Sequence, residues 1–152
     1  MKYLRKFNEA VSENFLLDLQ DFCESSLAYI LDDGAKVTVM DSVRSSTPMD
    51  KKPTDISIAL IFIRLSDKTK WSDIKDFMNP FFSALRSEYD IVHDKVGFRL
   101  SKGFWNVYKK EFNIDDILAD NIQEVDRWSN GSLKYNLERD PIIRFEIRVK
   151  AR

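Results

Sequence analysis

Residues 98 to 112, FRLSKGFWNVYKKEF, combine aromatic and basic side chains in a pattern that could bind nucleic acid. Single-stranded nucleic acid is held by aromatic rings that stack on its bases, beside a basic groove that follows its phosphates. The aromatic residues of this stretch could stack, and its basic residues could contact phosphates. The aromatic residues are Phe98, Trp105 and Tyr108, and the basic residues are Arg99, Lys102, Lys109 and Lys110. The sequence therefore contains one candidate nucleic-acid surface.

The same aromatic residues also suit a structural role. Phe98 alternates with apolar neighbours at the spacing of a strand, which predicts that its ring faces the core. Tyr108 and two apolar residues before it have helical spacing, and they could cover one end of a sheet. Only Trp105 lacks an evident packing partner. We favour packing over stacking for most of these rings, and we expect at most weak, nonspecific binding of nucleic acid.

The C-terminal segment IIRFEIRVKAR alternates in the manner of a half-buried strand. We predict that Ile143, Phe145, Ile147 and Val149 face the core, and that Arg144, Glu146, Arg148 and Lys150 face outward. If this strand lies beside the one that contains Phe98, Arg144, Arg148 and Lys150 extend the basic surface. Glu111 and Glu146 would oppose the binding of an anion there.

A second candidate surface is acidic. From Phe7 to Ala35 the chain carries acidic residues but no lysine or arginine, and its apolar residues recur at helical spacing. Asp18 and Asp21 lie away from that apolar stripe. We expect this acidic helix to bind a protein partner, although surface charge also serves solubility alone.

The sequence offers little for catalysis. The chain has one histidine, His93, and lacks the GxSxG and Gly-rich phosphate-loop motifs. Asp90, His93 and Asp94 resemble a metal cluster, but residues three apart in an extended segment point to opposite faces. Cys23 lies on the apolar stripe, where a packed thiol is expected. We predict no metal site, no cofactor and no catalytic residue, while a small carboxylate-based enzyme stays an alternative.

Composition limits the class of protein. The chain has 152 residues, 43% of them hydrophobic, and a formal net charge of −1. This length is usual for one domain, and the charge gives no global attraction for nucleic acid or anionic membrane. The longest apolar run, IALIFI, is too short to span a bilayer. We therefore expect a cytoplasmic protein of one domain, residues 1–152, with a mobile loop at 45–55 and an insertion at 102–140.

The predicted elements run helix, strand, strand, helix, strand, insertion, strand. The first helix starts after Ser12 and ends at Gly34, and the second covers residues 72–88 with Pro80 inside it or a fresh start at Asn79. This order predicts an α+β two-layer sandwich, with a mainly antiparallel sheet and two main helices on one face. It equals a ferredoxin-like fold whose first strand has moved to the C-terminus.

The opening residues MKYLRKFNE are similar to the start of many small, uncharacterised accessory proteins of large tailed bacteriophages. The resemblance implies a viral source and a role in the cytoplasm of an infected host cell. Together with the two charged surfaces, it suggests a non-enzymatic accessory protein that binds a host macromolecule, foremost a protein. The alternatives are a nucleic-acid-binding module that uses the basic and aromatic face, and a virion or assembly component.

Overall fold

A computed structural model of the chain describes residues 8–41, 58–66, 68–101, 107–122, 124–127 and 134–152. Its elements are α1 (Asn8–Ser26), α2 (Ala28–Asp32), β1 (Lys36–Asp41), β2 (Ile58–Arg64), α3 (Trp71–Glu88), β3 (Tyr89–Ser101), β4 (Val107–Asn113), α4 (Ile114–Leu118), β5 (Glu124–Arg127), β6 (Lys134–Asn136) and β7 (Ile142–Ala151). Within these ranges no helix is both long and apolar enough to cross a membrane.

The main sheet has five antiparallel strands in the order β1-β2-β7-β3-β4. The helices pack on one face of this sheet, so the predicted α+β two-layer sandwich is confirmed. The last strand, β7, lies between β2 and β3 at the centre. The order β1-β2-β7-β3 is the one expected when a ferredoxin-like fold carries its first strand at the C-terminus, and β4 adds a fifth strand at the edge.

The first helix differs from the prediction at both ends. It begins at Asn8 rather than after Ser12, and a break at Leu27 separates α1 from the short α2. Gly34, with φ of 102°, follows α2 in the left-handed conformation predicted for it. Cys23 is fully buried on the apolar stripe, as expected. Burial, followed by the nearby charge of Glu24, raises the pKa of its thiol to about 12, so this thiol stays protonated at neutral pH.

The second helix, α3, is one continuous helix with Pro80 inside it, which answers the question of a fresh start at Asn79. Its buried stripe includes Phe81 and Phe82, which pack against each other with ring centroids 5.7 Å apart. Phe77 lies at helical spacing from Phe81, yet it is 46% exposed.

The core lies between the helices and the inner face of the sheet. The apolar patterns of the sequence predict that six residues are buried together: Phe22, Leu60, Phe62, Phe81, Phe145 and Ile147. Phe81, Phe145 and Ile147 are buried there, as predicted, and Phe22 packs at the margin of the core. The prediction is wrong for Leu60 and Phe62. Leu60 and Phe62 are half-buried and point to the opposite face, because the inward residues of β2 are Ala59, Ile61 and Ile63.

The pairing of β3 with β7 is irregular at two places. In β7 the inward and outward residues are as predicted, except that Ile142 rather than Ile143 lies opposite the buried Leu100, at a register shift. In β3 the pairing with β7 shifts between Ile91 and Val96. His93 and Asp94, which lie in this bulge, both have positive φ and are exposed.

The outer edge of β1 is covered by a side chain of α1. The backbone N–H of Val39 donates to Gln20 Oε1 at 3.2 Å, and Gln20 Nε2 donates to the carbonyl oxygen of Val37 at 3.5 Å. Gln20 thus makes the hydrogen bonds that a further strand would make, and an occupied edge resists pairing with another chain.

The segment predicted as an insertion, residues 102–140, contributes structure to the main sheet. It contains β4, which was not predicted as a strand, and the antiparallel pair β5 and β6. Asn113 caps α4, because its side-chain oxygen accepts a hydrogen bond from the backbone N–H of Asp115 at 2.9 Å. The loop predicted at 45–55 lies outside the described residues.

Candidate functional site

Basic side chains form a row across the outer face of the sheet, the face opposite the helices. The strand register places one basic residue of each strand beside the next: Lys36 in β1, Arg64 in β2, Arg144 in β7, Arg99 in β3 and Lys109 in β4. We call these five residues the basic row. Neighbouring strands are about 4.8 Å apart, so the row is about 19 Å long.

Such a row costs stability. Side chains directly opposite each other on antiparallel strands have Cβ atoms about 5 Å apart, and like charges in that position repel. The basic row contains this arrangement at each of its steps, from Lys36 to Lys109. A negatively charged group next to the row, from the protein or from a ligand, would relieve this repulsion.

Glu146 compensates one half of the row. Its side chain is only 8% exposed. It lies two residues after Arg144 on the same face of β7. Arg99 Nε donates to Glu146 Oε2 at 2.7 Å, and Arg144 donates to the same oxygen from Nη2 at 2.7 Å and from Nε at 2.9 Å. Lys109 Nζ lies 3.1 Å from Glu146 Oε1. One carboxylate thus holds three cations, and the cluster keeps a surplus of positive charge.

The environment of Glu146 stabilises its charged form. Burial by itself raises the pKa of this carboxyl group, but hydrogen bonds from Arg99, Arg144 and Lys109, with the charge of Lys109, outweigh burial. They lower the pKa from 4.5 to about 2. Glu146 is therefore ionised at neutral pH and fixes the positions of the three cations.

Gly97 provides the space through which Lys109 reaches Glu146. It lies between them in the register, opposite Glu146 on one side and Glu111 on the other. A Cβ atom at position 97 would meet Lys109 Cε at 2.9 Å and the carbonyl oxygen of Glu146 at 3.3 Å. The absence of a side chain at Gly97 is thus part of the cluster, because the lysine stem crosses the sheet there.

The other half of the row has no such compensation. Lys36 and Arg64 are both exposed, and neither forms an ion pair with a residue that the structure describes. Beside them the guanidinium carbon of Arg144 lies 4.7 Å from the ring centroid of Phe62, a cation–π contact. The outer face therefore carries an aromatic ring next to two cations that no described acidic residue pairs with.

The structure places the predicted basic residues on two different faces. Arg99, Lys109 and Arg144 belong to the basic row, and Arg148 and Lys150 continue along β7 on the same outer face. Lys110 points to the helix side, since it pairs with the inward Phe98, and it is half-buried. Two more predicted residues, Lys102 and Trp105, lie outside the described residues.

Sequence reasoning did not identify Lys36, Arg64 or Phe62 as site residues. Lys36 and Arg64 stand at the beginning of β1 and at the end of β2, far apart in the chain. Only the pairing of β1 with β2 and of β2 with β7 brings them together with Arg144. Phe62 was expected in the core. It lies on the outer face because the alternate residues of β2, Ala59, Ile61 and Ile63, face the core.

The predicted acidic surface lies on the helical layer. Asp21 of α1 is exposed, whereas Asp18 is half-buried and has a partner within the structure. Glu24 accepts a hydrogen bond from Gln20 Nε2 at 2.9 Å. α1 packs on the inner face of the sheet, whereas the basic row lies on the outer face.

The residues that resembled a metal cluster are spread around the bulge of β3. Asp90 pairs with Arg152, whose Nε lies 3.3 Å from Asp90 Oδ1. Among the residues that the structure describes, no three His, Cys, Asp or Glu side chains come together in a way that could hold a metal ion.

No family model matches the chain, and no curated protein or solved structure matches it either. The similarity of MKYLRKFNE to tailed-phage accessory proteins therefore stays a prediction.

Proposed function

We propose that this chain is a non-enzymatic binding protein whose outer sheet face binds single-stranded nucleic acid. The observation that carries the proposal is the basic row, in which Lys36 and Arg64 have no ion-pair partner among the described residues and the cluster at Glu146 has excess positive charge. Phosphates supply the negative charge that such a row lacks. This function was the alternative in the sequence analysis, and the convergence of the cations on one face now supports it above the others.

The distribution of charge over the two layers supports the proposal further. The outer face carries more basic than acidic side chains, although the whole chain has a net charge of −1. Among the described residues of the paired strands, the basic ones are Lys36, Arg64, Lys95, Arg99, Lys109, Arg144, Arg148 and Lys150, and the acidic ones are Asp90, Glu111 and Glu146. An excess of positive charge on one face orients the molecule in the field of a polyanion even without a net positive charge.

The expected affinity is modest. Glu146 already neutralises part of the row, and among the described residues of the outer face Phe62 is the aromatic one beside it. Most of the binding free energy must then come from phosphate contacts, which release counterions and weaken steeply as salt rises. We expect micromolar, sequence-independent binding at low salt and weak binding near physiological salt.

The test is a fluorescence anisotropy titration of labelled single-stranded DNA and RNA at several salt concentrations. The variant Arg64→Gln, Arg148→Gln removes two exposed charges from the outer face. Because each lost phosphate contact lowers the slope of log affinity against log salt by about 0.7, we expect the slope to fall by about 1.4. The affinity should fall for all sequences alike.

The matched control is Lys70→Gln, Lys75→Gln, which removes the same charge at and near the start of α3, on the helical layer. This control should bind like the wild type. If both double variants lose affinity equally, the attraction is a property of total charge and the outer face is not a binding surface.

A protein partner is the second candidate, and one feature of the helical layer favours it. Tyr29 of α2 is 77% exposed and Phe77 of α3 is 46% exposed, and their rings form a pair with centroids 5.6 Å apart. Exposed aromatic residues are typical anchors of protein interfaces. Together with the acidic residues of α1, this pair would form the surface predicted for a host protein.

Capture from host lysate separates the two candidates. A protein partner bound through the helical layer should survive nuclease treatment and should be lost in the variant Tyr29→Ser, Phe77→Ser. If the captured material disappears with nuclease and the variant behaves like the wild type, the helical layer has no part in binding.

A further inference from the structure

A groove of about 270 Å³ lies on the outer face at the β1 end of the basic row. Its lining residues are Lys36, Thr38, Met40, Phe62, Arg64 and Arg144. Strand pairing places Lys36, Arg64 and Arg144 side by side. Thr38 and Phe62 form the next cross-strand pair on the same face, two residues further along β1 and β2. The groove is therefore basic at one end and apolar at the other.

The basic end has the chemistry of a phosphate site. Lys36 and Arg64 are exposed neighbours whose mutual repulsion no described carboxylate relieves, in contrast to the three cations that Glu146 holds. A phosphate placed between them would accept charge-assisted hydrogen bonds from both and would remove the repulsion. Arg144, fixed by Glu146, can add a third donor without loss of side-chain freedom.

The apolar end has the chemistry of a base site. Phe62 is half-buried and held by the Arg144 guanidinium group at 4.7 Å, and Met40 is 43% exposed beside it. An aromatic ring and a thioether offer a flat, polarisable surface for a base. Thr38, between them and Lys36, offers a hydroxyl group that can donate to the edge of a base or accept from it.

We infer that this groove holds one nucleotide of a bound single strand, with its phosphate on Lys36 and Arg64 and its base against Phe62 and Met40. The inference rests on the proposed function and names the site where stacking occurs. The volume of the groove, about 270 Å³, is near the lower limit of small-ligand sites, which suits one nucleotide rather than several. Arg148 and Lys150 would contact phosphates of neighbouring nucleotides.

The first test maps the site by amide chemical shifts in isotope-labelled protein. The probes are a single-stranded oligonucleotide, a nucleoside monophosphate and inorganic phosphate. The oligonucleotide and the nucleoside monophosphate should shift the amides of Thr38, Met40 and Phe62. Inorganic phosphate should shift those of Lys36 and Arg64 while it leaves Met40 unchanged, because phosphate has no base to stack.

The second test measures the contribution of the ring. Phe62→Leu should weaken oligonucleotide binding roughly tenfold, as the loss of one stacked base does. Its salt dependence should stay that of the wild type, since no charge changes. Leu60→Val is the matched control, because Leu60 lies on the same face of β2 but outside the groove. Lys36→Gln, which changes an exposed side chain of β1, gives a second readout and should weaken binding with a lower salt slope.

The outcomes separate this inference from the proposed function. Binding that is steep in salt but indifferent to Phe62→Leu and Lys36→Gln, with shifts centred on Arg148 and Lys150, would overturn the groove and leave the outer face as the binding surface. Equal shifts at Met40 with inorganic phosphate would overturn the base site. If the wild type binds no oligonucleotide at low salt, both the groove and the proposed function fail.

Discussion

Replacement of Phe145 by alanine should lower the free energy of unfolding by about 3 to 5 kcal/mol, the usual cost of truncating a large core residue. Phe145 is fully buried on the central strand β7. Its ring makes edge contacts with Phe98 at 4.8 Å, Phe82 at 5.7 Å and Trp71 at 6.3 Å between centroids. The truncation removes apolar contact with both layers at once, and the strand on one side and the helix on the other prevent collapse of the cavity.

Chemical denaturation followed by far-ultraviolet circular dichroism measures this loss. Small domains are stable by about 5 to 15 kcal/mol, so the variant should still fold near room temperature but unfold at much lower denaturant concentration. Phe77→Ala is the matched control, because it truncates the same residue type at a position that is 46% exposed on α3. It should cost about 1 kcal/mol or less. Equal losses in the two variants would contradict the inward orientation of Phe145.

The alternation of β7 made this prediction possible from the sequence. In IIRFEIRVKAR, apolar residues alternate with charged ones. Because burying a charge in the core is costly, this alternation predicts that Arg144, Glu146 and Arg148 face outward. The segment IALIFI of β2 contains no such marker. Both of its faces are apolar, so the sequence does not show which alternate residues of β2 face the core. Leu60 and Phe62 were therefore assigned to the wrong face.

The basic row shows a second limit of sequence reasoning. Its members come from five strands, and they become neighbours only through the strand order and the register of each pair. The sequence indicated Arg99, Lys109 and Arg144 as candidates but gave no means to add Lys36 and Arg64. Lys110 was included for its charge alone, and the strand character of β4 was missed because Tyr108 and the residues before it have helical spacing. With β4 as a strand, alternation sends Lys109 and Lys110 to opposite faces.

The last prediction concerns the carboxylate that organises the row. Replacement of Glu146 by glutamine should lower the free energy of unfolding at neutral pH by about 2 to 3 kcal/mol, because breaking a buried ion pair leaves its partners uncompensated. Glutamine keeps the shape of the side chain but removes the charge that holds Arg99, Arg144 and Lys109. Glu111→Gln is the control on the same face. Its side chain is 48% exposed and 3.9 Å from Lys109, so it should change stability by less than about 0.5 kcal/mol.

The pH dependence of the unfolding free energy tests whether the charge of Glu146 causes this stabilisation. The pKa of Glu146 is lower in the folded protein, about 2, than its ordinary value of 4.5. As the pH falls below 4.5 the unfolded chain takes up a proton there before the folded protein does, so the stabilisation is complete above that pH and disappears as the pH approaches 2. The difference in unfolding free energy between wild type and Glu146→Gln should therefore shrink by roughly half or more between about pH 6 and about pH 3. A difference that stays constant over this range would mean that Glu146 acts through packing, and that Arg99, Lys109 and Arg144 hold their positions on the outer face without its charge.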